Sequence, residues 1–483
     1  MALALSAILL LSCGWLLVGL GWSRQAPLAS DLLLRVCLSV GFGLGIFSAV
    51  FFLSLLFHFT RLMLVDLAVL ALLLAGFFVL RTSTAITIVH GAEKEGNVPA
   101  WLHRALTAAF ALVLFAALYA AIMRTLAHPH GDGWDAFSIW NLHARFLFRG
   151  GIHWRDGFTP LLPWSHPDYP LLLPAAVAHF WTHLGNDATA VPALISFLFT
   201  FSTAGLLYSA LSILGGRVPA MLGGIALLST PSFIEQGTSQ YADVPLSFFI
   251  LATIALLCLN DNREQNDPSH RYPGFLALAG LAAAGAAWTK NEGLLFLCAI
   301  VAARLVGVVR ENSFGNWMAR ARQVVPLLAA MAPVLLLIAY FKHSIAPPGD
   351  LFSDPAATFH KLVDPARYWA IIKWYVKGFF RFGHWLLIPG TLVMIGFYFA
   401  AGKEADPKSQ AGIRTSVLAL ILTLIGYFAV YLITPYDIYW HLRFSLTRLF
   451  LQVWPSSIFL FFLCIKNGND MCGADTAVRE FEP

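Results

Sequence analysis

Residues 415–434 read TSVLALILTLIGYFAVYLIT, 20 consecutive positions without a charged side chain. A helix rises about 1.5 Å per residue, so this run is about 30 Å long, the thickness of a bilayer's hydrocarbon core. Its apolar residues do not alternate with polar ones, as they would in a strand of a membrane barrel. A helix also satisfies all of its backbone groups internally, which lipid demands. Working outward, similar runs lie near 2–20, 33–57, 61–80, 105–123, 190–212, 218–234, 243–259, 274–289, 292–309, 324–345, 385–401 and 449–466. The expected fold is therefore all-α, a polytopic membrane helix bundle of about 13 spans. A further run at 170–186 is short and carries proline, His179, Trp181 and His183. It reads as an interfacial or re-entrant helix.

Composition agrees. Apolar residues make up 58% of the 483 and charged residues 12%, against about 25% charge in a soluble domain. The net charge of +5 sits mostly on the joints between runs. It reflects membrane topology rather than a nucleic-acid partner. Of six cysteines, Cys13, Cys37, Cys258, Cys298 and Cys464 fall in apolar runs and Cys472 in the polar tail, with no CxxC spacing. Neither a disulfide framework nor a zinc site is expected from them. The first run resembles a signal peptide but lacks a basic start, and reads as a retained helix.

Basic residues orient the chain. Arg304, Arg310, Arg320 and Arg322 fall near one joint, Lys403, Lys408 and Arg414 near another, Arg263 and Arg271 near a third, and Arg217 stands alone. Placed on the cytoplasmic side, they leave the insertion 129–169, the turns at 241–243 and 290–292, the segment 346–384 and the stretch 435–448 facing outward. The amino terminus is then outside and the tail 467–483 inside. The segment 346–384 interleaves Tyr368, Trp369, Lys373, Trp374, Tyr375 and Lys377, a pattern suited to a helix lying at the headgroup level.

Four outward stretches carry polar groups. In the insertion, Asp132 and Asp135 lie close enough in sequence to serve one site, as base or cation ligands, or to be ordinary solvated loop residues. Tyr241 and Asp243 precede a long apolar run. Asp243 reads as an N-cap with Pro245 just inside the helix, a role that leaves an oxygen for another partner. Lys290 and Glu292 interrupt two apolar runs, either as a local ion pair in a turn or as a polar site with Lys290 on a phosphate. His441 and Arg448, seven apart, share a helical face. Basic groups on the outer side call for an anionic partner, whereas Arg443 suits an interfacial belt. The histidines 128, 130, 143, 153 and 166 are scattered along the loop and read as plain loop residues.

In this order and on one side, these stretches resemble the GT-C superfamily of membrane glycosyltransferases, in particular the bacterial relatives of protein O-mannosyltransferase and aminoarabinose transferase. The resemblance rests on Asp135, a helix over 136–149 ended by Gly150-Gly151, the later Asp168-Tyr169-Pro170, Asp243, Lys290-Asn291-Glu292-Gly293, and Trp440-His441 with Ser445 and Arg448. It runs over 105–466. Helices within 1–104 look like additions, and 467–483 like a short cytoplasmic tail. Ala136 follows Asp135 where the family often has a second acid, and the family's large outer carboxyl-terminal domain is absent.

The resemblance implies a polyprenyl-phosphate sugar donor, inversion at the anomeric carbon, and a glycan, lipid or protein acceptor at the outer face of a bacterial inner membrane. Asp135 and Asp243 are then the catalytic carboxylates. Lys290, His441 and Arg448 are the donor-phosphate ligands, and Asp132, Glu292 and Tyr241 support them. A divalent cation such as magnesium or manganese could bridge Asp135 and Asp243. Two competing readings are a transporter or flippase of lipid-linked sugars, for which no internal repeat is found, and a glycan ligase or polymerase using a lipid-diphosphate donor, for which several arginines should converge on the donor.

Overall fold

The computed structural model describes residues 2–22, 29–80, 99–266, 273–311, 317–352, 355–385, 390–401 and 410–465. The regular elements among them are helices. Four open the chain: α1 (Ala2–Leu20), α2 (Ala29–Leu56), α3 (Leu62–Leu80) and α4 (Ala100–Ala127). The insertion that follows is itself helical. It holds a π-helical turn at Ala136–Trp140, then α5 (Asn141–Arg149) and a 3-10 turn at Gly151–Phe158. Next come α6 (Leu172–Leu184), α7 (Ala190–Gly215), α8 (Arg217–Leu228), α9 (Pro231–Thr238) and α10 (Asp243–Asn266). Then follow α11 (Gly274–Thr289), α12 (Asn291–Glu311), α13 (Trp317–Ser344), α14 (Pro355–Leu362), α15 (Pro365–Arg381), α16 (Gly390–Ala401), α17 (Gln410–Ile433) and α18 (Ile438–Cys464).

The protein is a polytopic helical membrane protein, with fewer crossing helices than the 13 expected. Ten described helices are long and apolar enough to cross: α1, α2, α3, α4, α7, α10, α12, α13, α17 and α18. An eleventh exists if α8 and α9, which meet at a 65° bend, count as one broken span. Besides that bent run 218–234, the difference lies at 274–289, where α11 has only 16 residues, and at 385–401, where the described helix α16 has 12. Sixteen residues of helix reach about 24 Å, short of the hydrocarbon thickness. α11 is apolar because protein surrounds it: all but two of its side chains are buried.

The same cause corrects two other expectations. α6 is not laid against the lipid interface, since every side chain from Leu172 to Trp181 is buried by packing against α2 and α5. Arg304 is not on a joint. It sits buried within α12, with its guanidinium 2.9 Å from Asp261. Lys403, Lys408, Arg271 and the tail 467–483 lie outside the described residues, as does the side chain of Arg263.

α10 is the axis of the bundle. Its sequence from Val244 to Leu259 is apolar on all sides, the mark of a helix buried all round. The side chains from Asp243 to Asn262 are all enclosed, by α7, α11, α17 and α18. α2 is equally integrated. Its Ser48 hydroxyl donates to the Leu171 carbonyl at 3.1 Å and accepts from the Trp288 indole at 2.9 Å, so the first helices are tied to α6 and α11. α15 is amphipathic: Ala370, Ile371 and Gly378 are buried while Trp369, Val376, Phe379 and Phe380 face out, and the ammonium groups of Lys373 and Lys377 lie over Trp369 and Trp374.

Candidate functional site

At the start of α10, the Asp243 carboxylate is fully buried. A buried carboxylate is costly unless each oxygen is matched by donors, and here the matching is complete. Oδ1 accepts from Lys290 Nζ at 3.1 Å and from Gln452 Nε2 at 2.6 Å. Oδ2 accepts from Arg448 Nε at 2.8 Å and lies 2.7 Å from its Nη2. Both oxygens thus point to side chains of other elements. Lys290 stands in the turn between α11 and α12, and Gln452 and Arg448 lie one helical turn apart on the same face of α18.

Arg448 extends the group to the insertion. Its Nη1 lies 2.7 Å from Asp135 Oδ2, so the one guanidinium bridges two carboxylates 108 positions apart in sequence (243 − 135). Planar, forked donors make arginine suited to this, where a lysine's single ammonium would not reach both. The guanidinium occupies the place between the carboxylates that a bridging divalent ion would need. The pair therefore does not fit a metal while Arg448 is there.

No family model, curated protein or solved structure matches this chain.

Asp135 is delivered by local backbone irregularity. It stands directly before the π-helical turn Ala136–Trp140, and such turns commonly occur at functional sites. Gly133, at φ +84°, lets the chain pass the Tyr241 hydroxyl, which a Cβ there would meet at 2.5 Å. The Tyr241 ring lies under the guanidinium of Arg448, 4.7 Å from its carbon. Burial, with the nearby Asp135 charge, pushes the Tyr241 phenol up to about 12. Lys290 remains an ammonium: burial opposes its charge, but Asp243 and Glu292 outweigh that and hold it above the usual lysine range.

Glu292 completes this cluster through Oε1, 2.8 Å from Lys290 Nζ. Its other oxygen is buried with no protein partner, which leaves an acceptor for a bound hydroxyl or water.

Two expected members have their bonded partners outside this group. Asp132 is turned to Arg124 at the end of α4, 2.6 Å away. His441 does share a face of α18 with Arg448, but its Nδ1 pairs with Thr434 Oγ1 at 2.9 Å and its ring packs on Tyr431. Glu235, close to Tyr241 in sequence, pairs instead with His384 at 2.9 Å.

Other residues join without having been expected. Gln452, buried in the middle of α18, is held by the Tyr427 hydroxyl donating to its Oε1 at 2.7 Å. A neutral polar side chain inside a span was the available signal. Below Lys290, Asn291 donates to Asp168 Oδ2 and accepts from Lys342, both at 2.7 Å. Tyr169 is stacked between His166 and Trp140, and burial, reinforced by Glu292 and Asp168, keeps its hydroxyl protonated. The Asp168-Tyr169-Pro170 element thus forms part of the floor beside the Lys290 turn.

A separate groove of about 700 Å³ lies between α15 and α18, lined by Trp374, Lys377, Arg381, Trp440 and Arg443 among others.

Proposed function

We propose that this chain is a membrane glycosyltransferase of the GT-C kind, moving a sugar from a polyprenyl-phosphate donor to an acceptor at the outer face of the membrane, with inversion. The observation carrying this reading is the convergence of Asp135, Asp243, Lys290 and Arg448, from four distant stretches, into one bonded group. Two fixed cations beside one partly accessible carboxylate suit displacement at an anomeric carbon next to a phosphate. Arg448 and Lys290 take up the charge that grows on the leaving phosphate, aimed there in advance by Asp243 and Gln452. Asp135 accepts the proton of the attacking hydroxyl as its oxygen bonds to the anomeric carbon from the side opposite the phosphate. Polyprenyl phosphate and the inverted glycoside are the products. The outer face lacks nucleotide sugars, so the donor must come on a lipid.

A ligase or polymerase using a lipid diphosphate calls for arginines converging on one donor. Arg443 instead lines the α15–α18 groove, while Arg448 faces Asp243.

The test is release of polyprenyl phosphate from a panel of polyprenyl-phosphate sugars in membranes that contain envelope acceptors. Asp135→Asn is expected to lower the rate by about 10²–10⁴-fold, the range for a positioned base. Undiminished transfer by that variant removes Asp135 as the base. No release from any donor by the wild type removes the enzyme.

A further inference from the structure

A second polar cluster, sharing no residue with the site above, is buried where α1, α3 and α6 meet. It comprises Asp66 on α3 and His179 and His183 on α6, with donor atoms all within 4.8 Å of one another. The two histidines are four apart and so share one face of α6. Asp66 and His179 are buried, and the His183 side chain is only 3% exposed. Phe47 stacks on the His179 ring at 4.0 Å and also borders His183, so the surroundings are apolar.

The hydrogen bonding of this cluster is incomplete in one particular place. The Ser6 hydroxyl donates to the Ala2 carbonyl at 3.1 Å and lies 2.7 Å from His183 Nδ1. With its proton on Ala2, Ser6 accepts from His183 Nδ1–H and His183 Nε2 carries a lone pair; with its proton on Nδ1, it leaves the ring hydrogen on Nε2. His183 Nε2 lies 2.9 Å from Asp66 Oδ2, an ion-pair distance, but with geometry outside that of a well-formed hydrogen bond. Asp66 Oδ1 in turn lies 3.0 Å from His179 Nε2. A buried carboxylate set between two imidazoles inside apolar packing needs a positive centre, which a ring proton or a metal ion supplies.

We propose that Asp66, His179 and His183 bind a divalent transition-metal ion of the zinc class. Two imidazoles and a carboxylate are a recurrent donor set for that ion. Donors about 2.0–2.1 Å from a tetrahedral zinc stand about 3.3 Å apart; the two aspartate–histidine pairs, at 2.9 and 3.0 Å, have to open slightly, while the widest pair of donor atoms, within 4.8 Å, has to draw together. Ser6 plays the part of the outer partner that fixes the tautomer and ring angle of a ligating histidine. The ion ties α3 to α6, with α1 joined through Ser6, and neutralises the Asp66 charge. Cysteine spacing gave no sign of it, because the donors are aspartate and histidine from two distant helices.

The experiment uses the full chain in detergent, with metal content measured after gel filtration without chelator, followed by chelator stripping and titration with cobalt(II). We expect one equivalent of metal per chain and cobalt ligand-field bands that zinc abolishes. Asp66→Asn and His183→Gln should reduce the content to background. Ser6→Ala, a milder change, should keep the bands and weaken affinity by about 10–100-fold. The wild-type titration stands independently of how the variants fold. A wild-type protein without zinc-sensitive cobalt bands overturns the site, leaving a charge pair only. Unchanged affinity in Ser6→Ala overturns the role given to Ser6.

Discussion

Arg448→Lys probes the bridge between the two carboxylates most cleanly. Alanine would strip Asp243 of a major partner and put folding at risk, since an uncompensated buried charge costs about 3–5 kcal/mol. Lysine keeps the charge and removes the fork. A single ammonium cannot reproduce contacts of 2.7 Å to Asp135 and 2.7 and 2.8 Å to Asp243. Asp243 retains Lys290 and Gln452, so Asp135 is the carboxylate released. A hydrogen bond to a charged group contributes about 1.5–3 kcal/mol net. Because the Asp135 side chain is 21% exposed, water recovers part of the loss, and the lower end, about 1.5 kcal/mol, is expected for stability.

Under the proposed transfer, activity should fall further, because the donor phosphate would meet one mobile cation in place of an aimed fork. Loss of one preorganised donor costs about 10²–10³ in rate. The assays are thermal unfolding in detergent and release of polyprenyl phosphate. The Asp135→Asn background provides the control: there, Arg448→Lys should cost little further stability, giving a coupling of about 0.5–3 kcal/mol for residues in one network. A folded Arg448→Lys protein that turns over within twofold of wild type, with no coupling to Asp135, would refute the bridge as a working part.

Two further outcomes are expected. Gln452→Leu leaves the Tyr427 hydroxyl and one lone pair of Asp243 unmatched inside α10, α17 and α18, and should cost about 1–3 kcal/mol; an unfolding midpoint equal to wild type would show that the amide is dispensable. His143 is buried against Phe158, and burial, with a lesser push from His166, lowers its pKa to about 3. A folded pKa below the unfolded one means stability present above about pH 6.5 and lost as pH falls toward 3, by up to about 1.4 kcal/mol per pH unit. His143→Phe should flatten the decline of melting temperature between pH 6.5 and 5, and an unaltered slope would assign the decline to other groups.

The helical membrane architecture was legible because uncharged runs of 20 residues have few physical explanations. The number of crossings was not, because an apolar run looks the same whether lipid or protein surrounds it. α6 and α11 are apolar on account of their neighbours. Asp135, Asp243, Lys290 and Arg448 stood out because a charge beside apolar sequence has to be matched by something. Gln452 is a single polar residue within a long run and Lys342 sits beside His343 at the end of one, and only their position in space shows what they touch. Asp132 was associated with the group by proximity along the chain, and His441 by the helical face it shares with Arg448. A local partner was nearer for each: Arg124 eight residues back and Thr434 seven residues back.

The pairing of Asp66 with His179 also constrains how the chain is made. The two are 113 residues apart, and translation at about 5–20 residues per second separates their synthesis by roughly 6–20 s. For that interval the nascent α3 carries an acidic side chain into the translocon without its imidazole partners. Asp66 is the fifth of the 19 residues of α3, so its cost lies below the roughly 2.5–3.5 kcal/mol of an aspartate at the centre of an inserting helix. The Asp66 charge is therefore matched only when α6 arrives, so the packing of the first three helices is completed by one made later.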